Sequence, residues 1–183
     1  MLQKDRIIPF MSTDKSQIQL GFSKACQTYA SEAGAQQQMV ERLLQLWPQD
    51  KPMSDIKSVF EFGCGSGFLT RLIRNRFSPE RALINDLAPS WEPLIKDVFP
   101  DKGWKFVSAD AEELTLNESY DLITSSASLQ WFERPAEFLE RMFDARKPEG
   151  VLLISTFGKD NLKEIRQITS VGLEYPATEL LLS

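Results

Sequence analysis

Val59-Phe60-Glu61-Phe62-Gly63-Cys64-Gly65-Ser66-Gly67 is the stretch on which the fold turns. A short apolar run carrying one acid passes straight into a turn with glycine at every second position. Beyond it, Phe68, Leu69, Leu72, Ile73 and Phe77 recur at helical spacing, with Arg71, Arg74 and Asn75 on the other side. Strand, glycine turn and helix, in that order, open a nucleotide-binding α/β fold. Glycine suits the turn because the chain must bend tightly and a ligand must reach main-chain atoms with no Cβ in the way. An ordinary strand-to-helix turn shows isolated glycines too, so the spacing has to carry the distinction.

A phosphate-binding loop places Lys and then Ser or Thr after its last glycine, where this chain has Phe68-Leu69. The dinucleotide fingerprint is G-x-G-x-x-G; here the third glycine comes one residue early, giving E-x-G-x-G-x-G. Downstream, Arg81-Ala82-Leu83-Ile84-Asn85 reads as a second strand ending at Asp86. That acid stands about 20 residues past the glycine turn, the interval at which a carboxylate accepts ribose hydroxyl protons. A solvated aspartate at a strand end is the alternative. Residues 105–109, 120–125 and 151–157 read as further strands, the last apolar enough to be buried on both faces.

The intervening segments read as helices. Trp91, Leu94, Ile95 and Val98 face inward on one; Phe138, Leu139, Met142 and Phe143 do so on another, which Pro135 opens. Glu112 and Glu113 read as a solvated turn. Upstream, residues 22–29 and 39–47 read as an amphipathic helix pair, stopped by Pro48. Residues 161–169 read as a last helix. The expectation is an α/β fold, a Rossmann-like parallel sheet flanked by helices. It forms one domain over 21–183 after a flexible segment at 1–20.

Composition narrows the function. The 183 residues are 42% hydrophobic, enough for one domain with a real core. A net charge of -5 argues against non-specific nucleic-acid binding. No apolar run is long enough for a membrane span, and the start leads into no secretory signal. Cys26 and Cys64 have no disulfide-like spacing, so a reducing cytoplasm is expected. The chain contains no histidine, which removes Ser-His and Cys-His dyads and nearly every zinc site; no metal ligands are expected.

The form E-x-G-x-G-x-G resembles motif I of the class I S-adenosylmethionine-dependent methyltransferases. The resemblance implies that Gly63, Gly65 and Gly67 pack against the methionine part of that cofactor and that Glu61 helps hold its amino-acid end. A positively charged sulfonium makes an acid tolerable where a pyrophosphate would be repelled. It also implies Asp86 at the ribose, and Asp110 near the adenine amino group with Ala111 beside it. Three further stretches are similar to the malonyl-acyl-carrier-protein O-methyltransferases of biotin synthesis. Phe22, Ala25, Tyr29, Ala33 and Gln36 keep the spacing of that family's N-terminal segment. Ser125-Ser126-Ala127-Ser128-Leu129-Gln130-Trp131 resembles its S-N-x-A-L-Q-W, with Ser126 where Asn is usual. Ser155-Thr156-Phe157-Gly158 and residues 161–166 are similar to its segment after strand five.

The acceptor so implied is the free carboxylate of a malonyl thioester on acyl carrier protein, or on coenzyme A. It is ionised at neutral pH and needs no general base. Phe22, Tyr29, Gln130 and Trp131 are then expected in the lid and pocket wall, with Tyr29, Gln130 and Trp131 nearest the chemistry. A carboxylate substrate and an acidic carrier call for basic residues, available at Arg134, Arg141, Arg146, Lys147, Lys159, Lys163 and Arg166. The family continues for two more strands. The expectation is therefore a truncated sheet whose strand-five edge invites a homodimer. Two other readings stay open: a methyltransferase of this fold acting on another small acid or a quinone precursor, and a cofactor-binding protein without turnover.

Overall fold

The computed structural model describes residues 14–25, 34–99, 103–158 and 161. Five parallel strands form one sheet: β1 (Ser58–Phe62), β2 (Arg81–Asp86), β3 (Trp104–Ser108), β4 (Tyr120–Ser126) and β5 (Arg146–Ser155). Their order is β3-β2-β1-β4-β5. The chain steps outward from β1 in one direction and then returns to its other side. That reversal leaves a crevice at the carboxyl ends of β1 and β4, the place where open α/β sheets bind ligands.

Alternation along β1 divides the core. Val59 points into a layer with Leu43 and Leu44 of α2 (Gly34–Gln45), Trp47 just beyond it, Leu69, Ile73 and Phe77 of α3 (Phe68–Phe77), and Ile95 of α4 (Glu92–Lys96). Phe60 and Phe62 point the other way, into a layer with Phe138 and Met142 of α5 (Pro135–Asp144). All five residues of β1 are buried, as a central strand covered on both faces requires. Phe62 meets the Phe138 ring edge-on at 4.9 Å, and each such fully buried side chain contributes about 1.5–3 kcal/mol.

Four expectations need correction. Residues 15–20 belong to a helix, α1 (Lys15–Ala25). Asp14 caps it, its Oδ1 accepting from the backbone N–H groups of Ser16 at 3.0 Å and Gln17 at 3.4 Å. Leu94 is 44% and Phe143 58% exposed rather than inward; the Arg146 guanidinium lies over the Phe143 ring. Strand β5 begins at Arg146, before the turn foreseen there, and crosses a register irregularity opposite Tyr120–Leu122. It is exposed at Pro148 and Glu149, buried at Leu153 and half-buried elsewhere, because it is the sheet edge among the described residues. The fourth, at Glu112, belongs to the site. The helix read at 161–169 lies outside the described residues apart from Asn161. Among the described residues no helix is long and apolar enough to cross a membrane.

Candidate cofactor and acceptor site

A cleft opens at the carboxyl ends of the strands. It is lined by Glu61, Gly63 and Gly65 at the end of β1 and in the turn beyond it, Asp86 and Leu87 at the end of β2, Asp110 and Ala111 after β3, and Ser126, Ala127 and Ser128 at the end of β4. One face of α1, Lys15, Ile18 and Phe22, closes a side, and Trp131 and Phe132 form another. Of the eleven residues expected in the site, the structure thus brings together Glu61, Gly63, Gly65, Asp86, Asp110, Ala111, Ser126 and Trp131.

Glycine is required in the turn by conformation and by space. Gly63 and Gly65 have φ of +62° and +50°. A Cβ on Gly63 would stand 1.9 Å from Ser128 Oγ, whereas one on Gly65 would meet nothing within 4 Å. The first glycine therefore admits the loop after β4, and the second leaves the cleft open. Gly67 does not line the cleft; it begins α3 in the left-handed conformation, and a Cβ there would meet Ile95 of α4.

The acids carry the electrostatics. Glu61 is 1% exposed, and its Oε2 has no hydrogen-bond partner among the described residues. Burial pushes its carboxyl up to about 8, and the nearby Asp86 carboxylate adds to the shift. Thr70, beside it, pulls the other way through its hydroxyl and its backbone N–H, without cancelling the effect of burial. Asp86 Oδ2 accepts from Gly65 N–H at 2.8 Å and its Oδ1 from Ala88 N–H at 2.9 Å. Burial raises Asp86 too, and those backbone bonds only partly offset it. A carboxylate has about four acceptor sites, so Asp86 keeps capacity to accept from a ligand. Two buried carboxylates with no cationic partner among the described residues fit a ligand that brings positive charge and hydroxyl donors.

Glu112 overturns the expectation of a solvated turn. It is 4% exposed, and its carboxylate accepts from the backbone N–H of Glu133 at 3.0 Å and of Arg134 at 2.7 Å. Those amides precede α5, whose N-cap position, Arg134, supplies no capping side chain. An anion from elsewhere in the fold caps the helix instead. The signal that could have found it is that uncapped, proline-opened helix. Lys15 Nζ donates to Asp110 Oδ2 at 2.5 Å and also to Glu112 Oε2. Lys15 stands in residues 1–20, a mixed polar stretch that reads as loop in the sequence.

Gln130 is buried but does not line the cleft. Its Nε2 donates to Ala127 O at 2.6 Å, and its Oε1 accepts from Thr156 Oγ1 at 3.2 Å. It holds the loop after β4 against the end of β5. Trp131 faces the cleft and meets Phe22 edge-on at 5.6 Å. Tyr29 lies outside the described residues.

A model of the methyltransferase domain matches residues 60–154, from β1 through β5. The chain belongs to this methyltransferase-domain family. More particularly, it is 40% identical to the malonyl-[acyl-carrier protein] O-methyltransferase of Bacteroides thetaiotaomicron over 87% of this chain and 61% of that protein. It is 38% identical to the protein of the same name from Haemophilus influenzae, over 90% and 63%. The chain thus spans about 60% of the length of these curated relatives. Among solved structures it superposes on a Haloferax volcanii putative methyltransferase complexed with the Trm112 activator, with a TM-score of 0.70 and 16% identity, over 88% of this chain and 74% of that one. It also superposes on the N-methyltransferase NodS of Bradyrhizobium japonicum, with a TM-score of 0.58 and 17% identity, over 69% and 64%. Those two likenesses concern the fold.

Proposed function

We propose that the cleft binds S-adenosylmethionine and that the chain transfers a methyl group to the free carboxylate of a malonyl thioester on acyl carrier protein, an early step of biotin synthesis. The observation that carries this reading is Glu61, buried at the floor of the cleft with an oxygen that nothing among the described residues satisfies. The relatives' shared name supplies the acceptor.

When bound, the cofactor supplies a methyl group on a positively charged sulfur. Glu61 and the glycine turn would hold its amino-acid end, Asp86 the ribose hydroxyls, and Asp110 with Ala111 the adenine edge. Ser126 would complete the wall after β4. Trp131 would face the acceptor, with Phe22 packed against it; Gln130 would act by fixing that wall, and Tyr29 would close it. A malonyl carboxylate arrives ionised, so these residues need only orient it and exclude water, without taking a proton. That suits a chain with no histidine.

Of the basic residues expected to meet the carrier, the four that the structure describes are engaged internally. Arg141 donates to the carbonyls of Glu112 and Leu114, Arg146 to those of Lys147, Pro148 and Gly150, and Lys147 to Asp121. Of these four, Arg134, whose partners Glu113 and Glu137 are exposed, is the one most readily released to an acidic carrier. A cytoplasmic setting accords with Cys64, a buried free thiol. Pairing of two chains along the β5 edge is part of the same proposal, and a monodisperse monomer in light scattering would remove it.

Calorimetric titration with S-adenosylhomocysteine, with NAD as control, tests the site. Saturable binding of the first alone is expected. Methyl transfer should then follow with malonyl-acyl carrier protein and not with free small acids. Transfer to another acid or a quinone precursor would change the acceptor assignment; binding without any transfer would reduce the chain to a cofactor-binding protein. Tyr29→Ala should lower transfer, and full activity in it and in Tyr29→Phe would remove Tyr29 from the site.

A further inference from the structure

Helix α1 touches the ends of three strands. Gln19 Nε2 donates to the Leu87 carbonyl at 3.0 Å, just after β2. Lys15 reaches Asp110 and Glu112 after β3, and Phe22 packs on Trp131 after β4. Between these contacts the apolar side of the helix faces the cleft. One polar contact, one aromatic contact and one charge cluster therefore hold a short helix across a ligand-sized opening.

The charge cluster differs from an ordinary surface pair, which contributes little. The Glu112 side chain is 3% exposed, with Lys15 at 23% and Asp110 at 24%. Burial lowers the lysine's affinity for its proton, and the bonds to Asp110 and Glu112 more than restore it. The two acids are also tied to each other, since Asp110 Oδ1 accepts from the Glu112 backbone N–H at 3.0 Å. Without the ammonium, two neighbouring carboxylates would face each other with no cation between them. Glu112 meanwhile holds the amides of Glu133 and Arg134, next to the cleft residues Trp131 and Phe132.

We propose that Lys15 latches α1 over the cleft, and that Glu112 is the positioning residue tying this latch to the wall that carries Trp131 and Phe132. The helix then opens and closes on the cleft as the ion cluster breaks and forms. A ligand engaging Asp110 shares that carboxylate with the latch, while Glu112 keeps hold of the lysine.

Hydrogen exchange on the unliganded chain tests the latch directly. Salt from about 0.01 M to about 1 M shortens the screening length from about 30 Å to about 3 Å. Amides of residues 15–25 in the wild type should lose protection over that range, while those of β1 and β4 keep theirs. Lys15→Met, which retains the apolar stem, should show the unprotected pattern at every salt concentration. Glu112→Gln should expose both α1 and the amides of residues 133–134, whereas Lys15→Met should expose α1 alone. Wild-type protection of α1 in Lys15→Met would overturn the proposal, as would exposure of 133–134 by Lys15→Met.

A second arm rests on the cofactor reading above. The ligand's own charges meet Glu61 in wild type and variant alike, so the difference in salt dependence of S-adenosylhomocysteine release between wild type and Lys15→Met reports the latch. Release from Lys15→Met should be roughly fivefold faster than from the wild type at low salt, with the difference vanishing at high salt, the factor a part-exposed pair at the top of the surface range supplies. Failure of the wild type to bind this ligand would overturn the cofactor reading, and exchange at α1 would still decide the latch.

Discussion

Glu61 shows how one side chain links stability to binding. Its folded-state value of about 8 against an ordinary 4.5 means that the empty site prefers it protonated. The stability this contributes is present below about pH 4.5 and is lost as pH rises toward 8. At one pH unit per 1.36 kcal/mol, and after the cost of seating an amide, Glu61→Gln should stabilise the ligand-free protein by about 2–4 kcal/mol near pH 8.5. Urea unfolding measures this. The same substitution should weaken S-adenosylhomocysteine binding by roughly tenfold or more, the worth of a charge-assisted hydrogen bond of about 1.5–3 kcal/mol. Wild-type affinity should rise between about pH 6 and about pH 8 with proton release, because the ligand's ammonium needs the ionised carboxylate. A pH-independent affinity would show that the ligand's ammonium is held elsewhere.

At the scale of elements, the glycine turn was legible because strand, turn and helix signals are all local. So was Asp86, fixed by its distance from the turn. Glu112 was not, because its role depends on amides about 20 residues away that no local pattern marks. Lys15 was hidden for a related reason, since the Asp14 cap stands in a polar stretch that looks like loop. Leu94 and Phe143 share the spacing of buried neighbours, but helical periodicity does not say how wide a stripe the sheet covers. The turn itself yields a test by double mutation. Gly63→Ala combines a left-handed penalty of about 1–2 kcal/mol with overpacking of about 1–3 kcal/mol against Ser128. Adding Ser128→Gly removes both side-chain atoms that a Cβ would strike, leaving the Ser128 Cα at 3.8 Å. The double variant should recover the overpacking part and keep the backbone part. If Ser128→Gly restores nothing, the loop after β4 is not seated on Gly63.

Across the whole molecule, two groups of acids pull stability in opposite directions. Asp121 accepts from the backbone N–H groups of Lys57 and Ser58, from Ser58 Oγ and from Lys147 Nζ. It thereby joins the starts of β1, β4 and β5. Burial alone would raise its carboxyl, but the bonds from Lys147 and Ser58 bring it below the ordinary aspartate value. Its contribution is therefore present above 3.8 and is lost as pH falls through the lowered value. Glu61 and Asp86, both raised, lose theirs as pH rises. The ligand-free chain should consequently be most stable near about pH 4–5, on the acid side of the usual optimum of about pH 5–8. Asp121→Asn should flatten the acid limb and Glu61→Gln the alkaline one, each leaving the other in place. With the ligand's ammonium on Glu61, as proposed, saturating ligand should move the optimum toward neutrality. Thermal unfolding across pH, with and without S-adenosylhomocysteine, would show that movement. An optimum unmoved by bound ligand would mean that the cleft acids are satisfied by something other than the ligand's charge.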